Sequence, residues 1–194
     1  MKNATANLGA IKKVAYALGG LNERVVYVGG AVMSLYVDDP AAADVRPTKD
    51  VDITLNIASL HELEALRIDL TKKGFIQTSE EGVMCRFRFD DVLVDVMGTK
   101  EVGWAPANEW FAPGFAHAAK VSLERTTIRI LPLSFFLASK FSAFHSRSGK
   151  DVRTSQDLED ITYLLDNITT LVEIVLNSPK DVRLFLQKES ECPS

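Results

Sequence analysis

The sequence predicts an α/β (α+β) protein: a small mixed β-sheet with flanking helices, followed by a helical C-terminal portion. Three observations carry that expectation. Short, largely apolar runs at residues 24–28, 50–57 and 92–97 have the composition of buried strands. Segments with helical spacing of apolar residues stand before and between them, at 5–18 and after Ser59. From residue 132 onward most of the chain reads as helix. We therefore expect a mixed-sheet unit over residues 1–130 and a helical portion over 131–194.

Taken in order, Leu8, Ile11, Val14, Ala15 and Leu18 form one helical stripe, and Gly19-Gly20 closes it. The strand at 24–28 stops at Gly29-Gly30, and residues 31–36 have the composition of a short helix. Asp, Pro and Ala make 37–47 a loop. After the strand at 50–57, Ser59 is placed to cap a helix, with Glu62 completing a capping box. That helix runs through Leu63, Leu66 and Leu70 to Lys73, where Gly74 ends it. Strands at 83–89 and 92–97 flank Asp90-Asp91, which reads as a hairpin turn. Residues 104–117, aromatic and containing Pro106, Pro113 and Gly114, read as irregular, and 121–130 as a strand or hairpin segment. Helices are expected at 132–144, 155–167 and 179–187, with Pro132 and Pro179 in their first turns. There is no internal repeat and no low-complexity segment.

Composition narrows the class. The chain has 194 residues, 46% hydrophobic and 25% charged, as an ordinary globular protein does. Its formal charge of −4 gives no global field for nucleic acid, so any such contact must come from a local patch. Cys85 and Cys192 make no disulfide framework and fit a reducing compartment. No signal-peptide pattern opens the chain, and no apolar run is long enough to span a bilayer. The expectation is a cytoplasmic protein without membrane contact.

The chemistry concentrates in residues 24–55. A glycine pair at a strand-to-helix turn, Gly29-Gly30, lets the backbone approach a ligand and offers N–H groups to an anion. The bland alternative is a tight turn. Asp50 and Asp52 alternate along a strand and so share a face. Two carboxylates so placed repel unless a cation lies between them, and hard oxygen ligands favour Mg²⁺. The alternative is an exposed strand end or Asx turn. Asp95 interrupts an otherwise apolar strand, which is costly unless it is paired or binds metal. Either it joins Asp50 and Asp52 as a metal ligand or base, or it forms a salt bridge with Arg86 or Arg88 on the hairpin partner. Lys140 lies among Phe135, Phe136, Leu137, Phe141 and Phe144. There it either presents its ammonium to a phosphate or belongs to a solvated helix face. Arg147 lies about two turns further along. Asp157 and Asp160 are helical i, i+3 neighbours placed to orient Lys140 or Arg147 by ion pairing.

Other patterns fail. Residues 148–151 lack the first glycine and the Ser or Thr of a P-loop. His61, His117 and His145 show no zinc spacing.

The order Gly-Gly, Asp-x-Asp, then a later strand Asp resembles the DNA polymerase beta-like nucleotidyltransferase superfamily. More narrowly it resembles the AbiEii/MenT toxin group, in which R-x-T-x-D-x-D recurs; here it stands as Arg46-Pro47-Thr48-Lys49-Asp50-Val51-Asp52. The group's helical motif of Lys, Ala and Arg followed by D-x-x-D is matched by Lys140, Ala143, Arg147 and Asp157-Leu158-Glu159-Asp160. The run between Arg147 and the paired acids is longer here than in that pattern. The resemblance implies the minimal nucleotidyltransferase fold, with a catalytic domain at 1–130 and a helical portion at 131–194 that completes the nucleotide site. It implies Asp50, Asp52 and Asp95 as catalytic metal ligands with Mg²⁺ as cofactor. Lys140 would be catalytic, and Gly29, Gly30, Thr48, Lys140 and Asp157 would bind an NTP. It further implies transfer of an NMP to an acceptor hydroxyl, first of all an RNA such as a tRNA 3′ end, and a restraining antitoxin protein as partner. Rival readings are a small-molecule nucleotidyltransferase of the aminoglycoside-modifying kind and a non-catalytic nucleotide- or partner-binding module.

Overall fold

The computed structural model describes residues 2–78, 84–147 and 155–191. The expected Val83 start of a strand, residues 148–154 and Cys192 lie outside them.

Among the described residues, seven strands form one mixed sheet. Beside its middle strand lies β1 (Val25–Val28), buried along its whole length, as an all-apolar strand with neighbours on both sides must be. Antiparallel β2 (Asp50–Leu55) lies on one side of it and parallel β7 (Thr126–Ile130) on the other. Next to β2 runs β5 (Val92–Gly98), parallel to it. Beyond β5 come β4 (Arg86–Phe89) and the two-residue edge strand β3 (Ile76–Gln77). The other edge is β6 (Ala119–Leu123), the hairpin partner of β7. Asp90 adopts φ 51 at the β4–β5 turn, a left-handed conformation that Asp tolerates in such turns.

Helix α1 (Lys2–Leu18) buries Ile11, Val14, Ala15 and Leu18 and packs on β2, β5 and β7. Two short 3-10 segments flank β1, at Gly19–Arg24 and Gly30–Leu35. In α2 (Leu60–Lys72) the Ser59 hydroxyl accepts from Glu62 N–H, while the Glu62 carboxylate accepts from Ala58 N–H, one residue before the expected partner. The helical portion comprises α4 (Leu133–Ser146), α5 (Gln156–Asn167), α6 (Leu171–Leu176) and α7 (Lys180–Ser190). Pro132 and Pro179 stand at the N-cap positions, just outside their helices. Tyr36 ties this portion to the turn after the glycine pair: its hydroxyl donates to Leu131 O (2.8 Å) and its ring stacks on Phe136.

Three elements correct the sequence reading. Residues 104–117 are not wholly irregular, because α3 (Phe111–Ala116) sits within them and buries Phe111 and Gly114. Strand β3 and helix α6 were not expected; neither has buried residues from which a periodicity can be read. No described helix is long and apolar enough to cross a membrane.

Candidate active site

The site begins where β1 ends. Gly29 has φ +70, and a Cβ built there would overlap the Asp52 carboxylate. The first glycine of the pair is thus required by the backbone and by its neighbour on β2 together. At Gly30, whose φ carries no such strain, a Cβ would meet only the end of Arg46, 2.7 Å from Nη2, so the guanidinium would have to shift on Asp160. The two glycines should therefore differ. We expect Gly29→Ala to destabilise by at least about 1–2 kcal/mol from its left-handed φ alone, before the overlap with Asp52 is counted. Gly30→Ala should be much milder. Thermal denaturation checks this, and equal melting temperatures for the two variants would contradict the geometry.

The Arg46-Pro47-Thr48 segment entering β2 is held by Asn7 of α1. Asn7 donates through Nδ2 to Arg46 O (3.2 Å) and accepts from Thr48 N–H (3.3 Å). Thr48 in turn donates its hydroxyl to Asp50 Oδ1 (2.9 Å). Asp50 and Asp52 share a face of β2, and the parallel register sets Asp52 beside Asp95 on β5. Antiparallel pairing sets Arg86 on β4 opposite Asp95. The Arg86 guanidinium grips Asp95 through Nε–Oδ1 and Nη2–Oδ2, both 2.8 Å, and Nη2 also reaches Asp50 Oδ2 at 3.3 Å. Both sequence readings of Asp95 therefore meet here: it neighbours Asp52, and it is salt-bridged to Arg86.

Asp52 makes no hydrogen bond or ion pair among the described residues. Burial, then the charges of Asp50 and Asp95, push its carboxyl up to about 7, while Lys140 and Arg147 pull the other way. A folded-state pKa above the unfolded carboxylate value, about 3.9, makes the native state hold a proton that the unfolded chain has lost. In chelator, stability should fall as pH rises from about 4 to about 7 and level off above, by proton linkage. Asp52→Asn removes this contribution. The melting-temperature difference between Asp52→Asn and wild type should thus grow across that window in EDTA, and a constant difference would refute the assignment.

Helices α4 and α5 supply the facing wall. Lys140 is buried, 8% exposed, with its ammonium 2.7 Å from Asp160 Oδ2 and 3.4 Å from Asp157 Oδ1. It lies on no solvated face, and its charge is already paired. Asp160, 1% exposed, also takes both Nε (2.6 Å) and Nη2 (3.0 Å) of Arg46. Burial pushes the Asp160 carboxyl up, but hydrogen bonds from Arg46 and the charge of Lys140 hold it below the usual range. Asp157 accepts from Arg147 Nη1 at 2.7 Å. The acid pair on α5 thereby positions three cations, one of them from the loop before β2. Ser155 caps this helix by accepting from Leu158 N–H (3.3 Å).

These groups surround one cavity of about 470 Å³. Gly29, Gly30, Asp50, Asp52, Asp95, Lys140 and Asp157 all line it. Thr48 does not; it is set back, holding Asp50. The sequence reading gave no role to Arg46 and none at the site to Met97 or Asn108, which also line the cavity. Arg46 had a signal, the first position of R-x-T-x-D-x-D; the other two had none.

The donor set fits a hard divalent cation such as Mg²⁺. Three carboxylates face one cavity, and Asp52 among them lacks any compensating partner. Asp50 and Asp95 are bridged instead by Arg86. Among the described residues, no group of three or more His, Cys, Asp or Glu is set to hold a metal as it stands.

No protein-family model and no curated protein matches the chain. Solved structures do. A crystal structure of an antigenic nucleotidyltransferase-like protein from Paracoccidioides brasiliensis is similar at TM-score 0.54 and 17% identity, covering 95% of this chain and 87% of that one. The solution structure of antibiotic-resistance factor ANT(2'')-Ia is similar at TM-score 0.56 and 12% identity, covering 95% and 93%. ANT(2'')-Ia in complex with adenylyl-2''-tobramycin gives TM-score 0.53 and 13% identity, covering 95% and 99%. The fold of this chain is that of the nucleotidyltransferases.

Proposed function

We propose that this protein is a divalent-cation-dependent nucleotidyltransferase that moves an NMP from an NTP to an acceptor hydroxyl and releases pyrophosphate. One observation carries the reading. Asp50, Asp52 and Asp95 on adjacent strands face Lys140 and Arg147 across a single cavity beside Gly29-Gly30. A divalent ion held by the three carboxylates would neutralise the triphosphate and acidify the acceptor hydroxyl. Thr48 fixes the rotamer of Asp50 on the strand side. Lys140 and Arg147 are aimed at the negative charge that builds on departing pyrophosphate, with Asp157 and Asp160 keeping them in place. Asp95 would hold the acceptor proton, as metal ligand or base, once Arg86 no longer occupies it.

The acceptor we propose is RNA, a tRNA 3′ end first, in a toxin-like protein of a toxin–antitoxin or phage-defence system with a cognate restraining partner. The R-x-T-x-D-x-D run supports that branch. The likeness to ANT(2'')-Ia supports the rival, a small-molecule acceptor of aminoglycoside type. The test is incubation with each labelled NTP and Mg²⁺, alongside total RNA, an aminoglycoside, or the protein alone. Label in RNA supports the proposal, label in the aminoglycoside supports the rival, and no label in any fraction refutes nucleotidyl transfer to these acceptors.

A further inference from the structure

We infer that Arg86 is a built-in counter-cation, which occupies the carboxylate oxygens of the metal site in the nucleotide-free protein and must be displaced for an ion to enter. The inference rests on the reading of Asp50, Asp52 and Asp95 as metal ligands.

The geometry is specific to one atom. Arg86 Nη2 is 2.8 Å from Asp95 Oδ2 on β5 and 3.3 Å from Asp50 Oδ2 on β2. A single guanidinium nitrogen therefore bridges oxygens from two strands. Asp50 and Asp95 would hold a divalent ion through carboxylate oxygens that this nitrogen now takes, and the guanidinium and the ion would repel each other as like charges. Arg86 does not reach this position as a wandering surface group. It is 7% exposed, its strand register places it directly across from Asp95, and Nε holds Asp95 Oδ1 at 2.8 Å.

The arrangement has a physical cause. Three carboxylates on neighbouring strands repel one another, and a folded chain without a bound ion needs a positive charge among them. Arg86 supplies it, which lets the sheet form before any metal arrives. The consequence is an ordering of ligands. A free ion must evict a bidentate guanidinium with nothing offered in return. An ion arriving with an NTP brings phosphate oxygens that complete its own coordination and give the displaced guanidinium a new anionic partner. Metal binding should thus depend on nucleotide, and Arg86 is the positioning residue that enforces the dependence.

The experiment is a nucleotide-free titration with Mn²⁺, followed by electron paramagnetic resonance, on wild type and Arg86→Met. Loss of the adjacent positive charge should tighten free Mn²⁺ binding about tenfold or more. Adding Asp50→Asn to Arg86→Met should reverse the gain. Wild type should bind Mn²⁺ tightly only with a non-hydrolysable NTP analogue. A purely structural role for Arg86 predicts the opposite sign, since a damaged site binds metal less well. Equal or weaker free Mn²⁺ binding by folded Arg86→Met, with Mn²⁺–nucleotide binding intact, overturns the counter-cation role and leaves the proposed function standing. Failure of both proteins to bind Mn²⁺ even with the analogue overturns the metal reading and this inference with it.

Should Arg86→Met not fold, the same question is put to wild type labelled with ¹⁵N-arginine. The Arg86 Nε–H signal, assigned through its own backbone, should change on adding Mg²⁺ with the analogue and stay unchanged with Mg²⁺ alone. A signal unmoved by Mg²⁺ with bound analogue overturns the proposal.

Discussion

If the proposed activity is right, Asp52→Asn should abolish nucleotidyl transfer, a loss of at least about a thousandfold, in a protein that stays folded. Asn keeps the volume and removes the charge. Asp52 has no hydrogen bond or ion pair among the described residues, so the substitution orphans no partner. The opposite holds for most buried acids, whose removal strands a cation. At neutral pH the change should even stabilise the metal-free protein, because Asp52 is held near a carboxyl pKa of about 7 by burial beside Asp50 and Asp95. Asp50→Asn should lose as much activity with a greater cost to the fold, since Asp50 also accepts from Thr48 and contacts Arg86. Incorporation of labelled nucleotide, read beside circular dichroism, checks both variants. Wild-type transfer by folded Asp52→Asn with Mg²⁺ present would remove the metal assignment.

Much of this site was legible because its parts are local. Alternation along one strand puts Asp50 and Asp52 on one face, both half-buried, with buried Val51 between them on the other. The two-residue turn at Asp90-Asp91 sets the hairpin register, so Arg86 opposite Asp95 follows from counting outward from the turn. The neighbouring of Asp52 and Asp95 needed more. It depends on parallel pairing of β2 with β5, which a crossover connection decides and a strand pattern alone does not. The pairing of Lys140 with Asp157 and Asp160 was legible only as an option, because the angle between α4 and α5 is a matter of tertiary packing. Helix α3 was hidden by Pro113 and Gly114. Gly114 is there because a Cβ would meet Leu131 and Phe135 at 2.8 and 2.9 Å, so close packing accounts for a residue that reads as a helix breaker.

Lys140→Met should lower turnover by about ten- to a thousandfold, the range expected for losing one preorganised charge-assisted contact to a developing anion. Its effect on stability is a separate matter. The sequence offers this ammonium either a phosphate or the acids Asp157 and Asp160. The structure places it between Asp157 and Asp160, over the Phe136 ring. Removing it takes one cation from two buried acids, and breaking such a pair costs several kcal/mol when nothing replaces it. Here Arg46 still holds Asp160 and Arg147 still holds Asp157, so the expected cost is smaller, about 1–3 kcal/mol. The two effects separate in a second variant. Lys140→Met combined with Asp157→Asn removes the buried acid whose remaining partner, Arg147, is largely exposed, and should recover part of the melting temperature, yet it should not recover turnover. The loss should fall on kcat at saturating NTP more than on KM, because the contact strengthens as charge moves onto pyrophosphate. Wild-type kcat in folded Lys140→Met would make Lys140 a strut between α4 and α5. The nucleotide site would then rest on the strands alone.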